Sequence, residues 1–407
     1  GRRRLVTTHT LHPPAAGEPP IAARLRAARE ARGMTQQQAS AALGVSRPLL
    51  VAIEKGTREV RPEELVRLAE IYGKPVNELL RSAAPPVGIG GQFRTALGSS
   101  PDADELSRLI GRLESLADDY VDLIHRSGAT LPDRYPAVRD IRHLEPEQAA
   151  EDLASEERNR LGLGDGPVAD LRETLENDVG LRIFVIPLPS AVAGLFVYIE
   201  LLGGCVAINA KHPPERRNWT LAHEYAHFLV ARHQVEITPV RRAPRAPEIE
   251  QVADAFAASF LMPRSGLTRR FHELKRGRGG KLTPAVLVQL AHVYRVSVQA
   301  TTLRLQDLKL IPAATWNRLS DHNFRARDAA RLLGIESPEP ISDELPLHYR
   351  VLAAELYAEG EITEGQLAGY FHTDRVGART LYESLMATRD VDADGSSQVI
   401  DLAESPA

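Results

Sequence analysis

The run Trp219-Thr220-Leu221-Ala222-His223-Glu224-Tyr225-Ala226-His227-Phe228-Leu229-Val230 most constrains this chain, because it sets two histidines four apart in a stretch whose apolar pattern is helical. On a helix that spacing puts both imidazoles on one face, about 6 Å apart along the axis. They are then near enough to bind one ion at about 2.0–2.1 Å. Glu224 projects beside the pair rather than between its members, where it can accept a proton from water activated at the ion.

This is the HExxH arrangement of metallopeptidases, in which the glutamate is the general base. A bare match arises by chance in roughly a few chains per hundred of this size, so the surrounding sequence has to supply the rest of the site. Cys205 is the one cysteine. It can form neither an internal disulfide nor a thiolate cage, which leaves imidazole and carboxylate as ligands. Zinc hydrolases need a third protein ligand and keep the fourth position for water or substrate. The helical pattern Glu248-Ile249-Glu250-Gln251-Val252-Ala253-Asp254-Ala255-Phe256 offers Glu250 for that role. Asp254, one turn on, is placed to accept the other ring N–H of a ligating histidine. His212, before two prolines, and His233, beyond the ligand face, read as ordinary surface residues.

With 407 residues the chain is long enough for two or three domains. No stretch approaches the ~20 apolar residues that span a bilayer, and Gly1 to Pro20 has arginines but no apolar signal-peptide core. The expectation is a cytoplasmic protein without membrane contact. The net charge of −4 hides an asymmetry. Residues 1–82 hold 14 Lys/Arg against 8 Asp/Glu, and the remainder 36 against 46. A basic head on an acidic body suggests that the head meets a polyanion.

The expected order begins with a disordered arm at 1–20 and a basic helical head at 21–82. A linker and long helix follow at 83–146, then the metal-site domain at 147–275, a helical C-terminal region at 276–390 and a disordered tail at 391–407. Strands are expected at Leu181–Leu188, Gly194–Leu201 and Cys205–Ala210, with Gly203-Gly204 as a hairpin turn. A Pro/Arg-rich loop should run to Pro247. Leu106, Ile110, Leu113, Ala117, Tyr120 and Ile124 form an apolar seam on one helix, suited to a homodimer contact or, more blandly, to docking on the next domain. Val296 to Leu305 and Ile362 to Leu385 superficially repeat helix-turn-helix spacing, and packing is the expected role of both.

The stretch from about Gly166 to Pro263 resembles the ImmA/IrrE family of bacterial metallopeptidases. The matching residues are Val206-Ala207-Ile208-Asn209, the Arg217-to-Ala222 lead into HEYAH, the Glu250-to-Asp254 spacing, and Leu261-Met262-Pro263. The resemblance implies a zincin-like α+β peptidase domain holding zinc (Zn2+), with His223, His227 and Glu250 as ligands, Glu224 as base and Asp254 behind a histidine. Val252, where many members have a second acidic residue, and Trp219, often Phe, depart from the family pattern without touching a ligand.

Residues 21–81 resemble the XRE/Cro-like helix-turn-helix family through Thr35-Gln36-Gln37-Gln38-Ala39, Gly44-Val45-Ser46 and Ile53-Glu54-Lys55-Gly56. The resemblance implies a five-helix repressor-like domain on double-stranded DNA, the Ser46–Lys55 helix entering the major groove. Arg47 suits a guanine edge; Gln36, Lys55 and Arg58 suit phosphates, with Ser46 at the helix start. Arg29 and Glu54 are expected to form an internal ion pair. After Arg47 the helix offers Pro48, Leu49, Leu50, Val51 and Ala52, which touch thymine methyls but cannot hydrogen-bond bases.

The expectation is therefore a multidomain, mostly α protein with a small β-sheet: a DNA-binding regulator with a zinc metallo-endopeptidase domain. Its protein substrate would be a repressor, or the chain itself, in control of stress or mobile-element genes. The competing reading is a transcription factor whose peptidase-like domain senses a ligand or metal without hydrolysis.

Overall fold

The strongest local signals in the head are helix ends, and they form as the sequence dictates. Thr35 caps one helix reciprocally, its hydroxyl accepting from the Gln38 amide at 3.2 Å while the Gln38 side chain accepts from the Thr35 amide at 2.9 Å. Gly44, at φ 78°, ends that helix in the left-handed region that glycine enters without penalty. The helices are α1 Pro20–Ala31, α2 Gln36–Leu43, α3 Arg47–Glu54 and α4 Pro62–Tyr72, closed around Leu25, Leu43, Leu50, Ile53 and Leu68. Of the expected fifth helix, Val76 and Leu79 are helical; its other residues lie outside those described.

The computed structural model describes residues 20–73, 76, 79, 103–131, 135–141, 144–239, 247–335 and 345–387. The expected linker at 83–91, the tail from 391, and the arm up to Pro20, which starts α1, lie outside them. The chain divides into two units, residues 1–128 and 129–407. The first also holds α5, Ala103–Ser127. Its seam residues Leu113, Ala117 and Tyr120 are buried within the single chain, as are Glu114, Asp119 and Asp122.

In the second unit α6 (Pro146–Arg160) and α7 (Leu171–Thr174) precede a four-stranded sheet. Its strands are β1 Arg182–Ile186, β2 Val192–Ile199, β3 Gly203–Asn209 and β4 Glu236–Pro239, in the order β1-β3-β2-β4. β1 runs parallel to β3, pairing Arg182 with Cys205; β2 is antiparallel to both β3 and β4. Two expectations are corrected. β4 lies within the segment expected as loop, a short edge strand whose pairing with β2 supplies order that its Pro-containing sequence does not signal. The β2–β3 hairpin turns at Glu200 to Leu202, and Gly203 is already the first residue of β3 at φ 78°. A Cβ there would collide with the Tyr135 hydroxyl, so this glycine serves a close approach rather than the turn.

Then come α8 (Pro214–Ala231), α9 (Glu248–Leu261), α10 (Arg264–Arg276), α11 (Pro284–Val293) and α12 (Val298–Asp307). α13 (Thr315–Asp321), α14 (Ala326–Leu332), α15 (Leu347–Ala358), α16 (Glu364–Tyr370) and α17 (Arg375–Ala387) are the last of the described elements. The core does not stop at residue 275. Phe256, Phe260 and Phe271 share one hydrophobic cluster with Val286, Leu290, Leu305 and Ile311, because α11 and α12 close over α9 and α10. Cys205 lies in β3, and burial pushes its thiol up to about 12, so it is a protonated packing residue at neutral pH.

Candidate metal centre and nucleic-acid interface

α8 packs between the sheet and α9, and every residue from Thr220 to Leu229 is buried. Its rotation about its own axis is set by Tyr225. The Tyr225 ring packs edge-on against Phe256 and Phe260 of α9, at 5.9 and 5.8 Å between centroids. Its hydroxyl donates to Glu157 of α6 and accepts from Arg160 at 3.0 Å. With that edge tied to α6 and α9, His223 and His227 are turned elsewhere as a fixed pair.

The two histidine Nε2 atoms lie 3.1 Å apart. Glu250, carried on the first turn of α9, faces both: Oε1 is 3.0 Å from His227 Nε2 and Oε2 is 3.5 Å from His223 Nε2. Asp254 Oδ1 stands 3.3 Å from the other ring nitrogen of His223, Nδ1. With the ring proton donated to Asp254, His223 Nε2 presents a lone pair toward the lone pairs of Glu250. Such a convergence in a buried site is repulsive unless a proton or cation lies among the donors. Ligands each ~2.05 Å from one tetrahedral ion sit about 3.3 Å apart, so the donor set and its spacing fit zinc. Among the described residues these three are brought together as a possible metal-ligand group. The histidines also act on Glu250: burial raises its carboxyl pKa, but the imidazoles facing it, wherever they bring a proton or positive charge to it, outweigh burial and hold it far below the ordinary range.

Glu224 is fully buried next to the histidines, and a strand residue that sequence reasoning passed over makes room for it. A Cβ at Gly194 of β2 would stand 2.7 Å from Glu224 Oε1 and 2.6 Å from Thr220 Cγ2. The pairing of β2 with β4 is irregular between Val192 and Gly194, as at many strand bulges beside functional sites. A glycine within an otherwise apolar strand was the available signal for this close approach. His233 is exposed beside Tyr198, as expected of a surface residue. His212 is half-buried, and burial and Arg216 lower its pKa, favouring the neutral ring.

In the head, Ser46 and Arg47 are exposed at the start of α3, and the Ser46 hydroxyl makes no capping bond. Lys55 is exposed at its end. Gln36 and Arg58, read from sequence as phosphate contacts, are engaged inside the module. Gln36 donates to Glu54 Oε2 at 3.0 Å, and Arg58 makes a two-pronged pair with Glu64, both bonds at 3.0 Å. Neither bond was visible in sequence, since both join residues from different elements. The expected Arg29–Glu54 pair is present at 2.6 Å, and Arg29 also donates to the Met34 carbonyl at 2.8 Å.

No helix among the described residues is long and apolar enough to cross a membrane. A comparison with curated proteins finds no match. Family models match at two places: a helix-turn-helix model over residues 25–79, and the IrrE N-terminal-like domain of a peptidase family over residues 176–306. The second match spans the sheet, the HEYAH helix, α9 and its cover to α12, and the chain is thus a fusion of an XRE-type helix-turn-helix domain with an ImmA/IrrE-family peptidase domain.

Proposed function

We propose that this protein is a cytoplasmic DNA-binding regulator whose second unit is a zinc-dependent endopeptidase, acting on a repressor protein or on its own chain. The observation that carries the peptidase reading is the convergence of His223 Nε2, His227 Nε2 and both Glu250 oxygens in a buried site beside Glu224. His223, His227 and Glu250 would hold zinc, and Asp254 keeps His223 in the tautomer that turns its Nε2 lone pair inward. The chemistry that zinc supplies when bound is Lewis acidity, which polarises a carbonyl and acidifies water. Glu224 takes the proton of the attacking water and delivers it to the departing amide nitrogen. In the head, Arg47 reads a base edge while Ser46 and Lys55 hold phosphates.

The test is zinc content by elemental analysis, paired with mass spectrometry of the chain itself and of candidate repressors after incubation. His223→Ala, His227→Ala and Glu250→Ala should each lose tight zinc binding. Glu224→Gln should keep zinc and lose cleavage. Normal zinc in Glu250→Ala removes that residue from the site, and cleavage unchanged in Glu224→Gln removes the base.

A further inference from the structure

Among the described residues the acidic second unit contains a densely basic segment. Residues 264–281, which are α10 and the turn after it, hold seven Lys/Arg and one acidic residue, Glu273. α10 buries Gly266, Leu267 and Phe271 against the core, which leaves Arg264, Arg269, Arg270 and Arg276 exposed. Three of the arginines are balanced on the surface: Arg264 by Glu151 at 3.6 Å, Arg269 by Asp165 at 2.8 Å and Arg270 by Glu273 at 3.3 Å. The charges of Lys275, Arg276, Arg278 and Lys281 have no acidic counterpart within their own segment. Lys275 lies 5.8 Å from the Phe271 ring, and Arg278 donates to the neutral Gln289 side chain at 3.1 Å, contacts that bring no negative charge to either. Gly279 and Gly280 follow in the left-handed region, at φ 64° and 77°, and the chain folds back there, with the Gly280 amide donating to the Lys275 carbonyl at 2.9 Å and the Lys281 amide to the Arg278 carbonyl at 3.4 Å.

We propose that this ridge is a second surface for duplex DNA, gripping the phosphate backbone without reading bases. The inference rests on the DNA-binding reading of the head, which brings a duplex to the chain. Outside residues 264–281 the chain after residue 82 holds 29 Lys/Arg against 45 Asp/Glu, so the ridge is a concentration of positive charge in a net acidic background, where a duplex is attracted. Flexible lysine and arginine ends on the outside of a helix and a glycine turn suit phosphate contact rather than base-edge recognition. An anionic membrane is the poorer fit, because the segment exposes no large hydrophobic side chain to enter a bilayer. α12, which follows in a helix-turn-helix-like order, is no substitute reader: Thr301, Thr302, Arg304 and Leu305 are buried in packing.

The experiment measures binding of the full chain to a random duplex between about 50 and 200 mM salt, a range over which phosphate neutralisation dominates the change in affinity. The fourfold variant Lys275→Gln/Arg276→Gln/Arg278→Gln/Lys281→Gln is compared with wild type and with the head variant Arg47→Ala/Lys55→Ala. Zinc content and the melting transition establish that the fourfold variant is folded. The fourfold variant should lose affinity and flatten the log–log salt slope by about 0.9 for each phosphate it no longer neutralises, up to about 3.6, with discrimination between sequences unchanged. The head variant should lose discrimination and keep the ridge's share of the slope. A folded fourfold variant with wild-type affinity and slope overturns the proposal and makes the ridge a solvated face. Loss in the fourfold variant with no effect in the head variant upholds the ridge and overturns the reading of the head. A wild-type chain that binds no duplex at low salt overturns both.

Discussion

Gly194 and Glu224 belong to different elements, and at the residue scale their separation decides how close a general base can sit to the sheet. Gly194→Ala forces a methyl group within 2.7 Å of Glu224 Oε1 and 2.6 Å of Thr220 Cγ2, so either the carboxylate or α8 must shift. Displacement of about 1 Å in a catalytic group is enough for a ~100-fold loss of rate. The expected variant therefore keeps zinc by elemental analysis and loses cleavage by about that factor. Cleavage equal to wild type would show that Glu224 relaxes without consequence. The contrast with Glu250 is instructive: its lowered carboxyl pKa depends on the two histidines, whereas the position of Glu224 depends on an absent side chain.

At the scale of elements, caps and turns recur where the chain makes a helical corner. Thr35 with Gln38 and Thr363 with Gln366 form the same reciprocal cap, and a left-handed residue follows each after the same interval, Gly44 in one case and His372 in the other. α17 then leaves Val376 74% exposed, unlike the packed α12, so the two late repeats of this spacing are not equivalent. Within the head, the buried Arg29–Glu54 pair ties α1 to α3. Arg29→Ala leaves Glu54 buried without that partner and should destabilise the head by about 3–5 kcal/mol, read as an early unfolding transition. Arg29→Met combined with Glu54→Leu should be much milder, because no charge is stranded. For α5, Leu113→Glu with Tyr120→Glu places charge at positions that are 6% and 0% exposed within one chain. Loss of folded structure by circular dichroism is the expected result; a folded variant whose mass by light scattering halves would make the seam a dimer contact.

On the scale of the whole molecule, a basic head and an acidic body make DNA binding a matter of which face meets the duplex. In the full chain, Arg47→Ala should narrow the affinity difference between operator and random duplexes more than Lys55→Ala does. Lys55→Ala should instead lower affinity for both and reduce the salt slope by about 0.9. Equal effects from the two variants in a filter or fluorescence titration would make Arg47 one more phosphate contact. The second unit is held together over long sequence distances: Arg172 donates to the Leu345 carbonyl at 2.7 Å, and Glu176 accepts from the Leu347 amide at 3.0 Å. These bonds dock the last helices on the segment before β1, so the C-terminal region is not an independent appendage.

The sequence by itself determined what depends on neighbours within a turn or two of chain. That includes the two histidines on one face of α8, the Thr35 cap, the Gly44 stop, and the bounds of α9, which run from Glu248 to Leu261 as its pattern indicates. It also identified Glu250 and Asp254 as partners for the histidines, because the chemistry of a closed site demanded a carboxylate and the adjoining helix offered one. Tertiary structure decided the rest. β4 exists because β2 presents it an edge, and Gly203 serves Tyr135 rather than a turn. Gln36 and Arg58 are drawn to Glu54 and Glu64, and Glu224 fits because residue 194 has no side chain. Each of these outcomes turns on the distance between groups on different elements. That distance is set when the sheet and helices pack together, and no local pattern of residues encodes it.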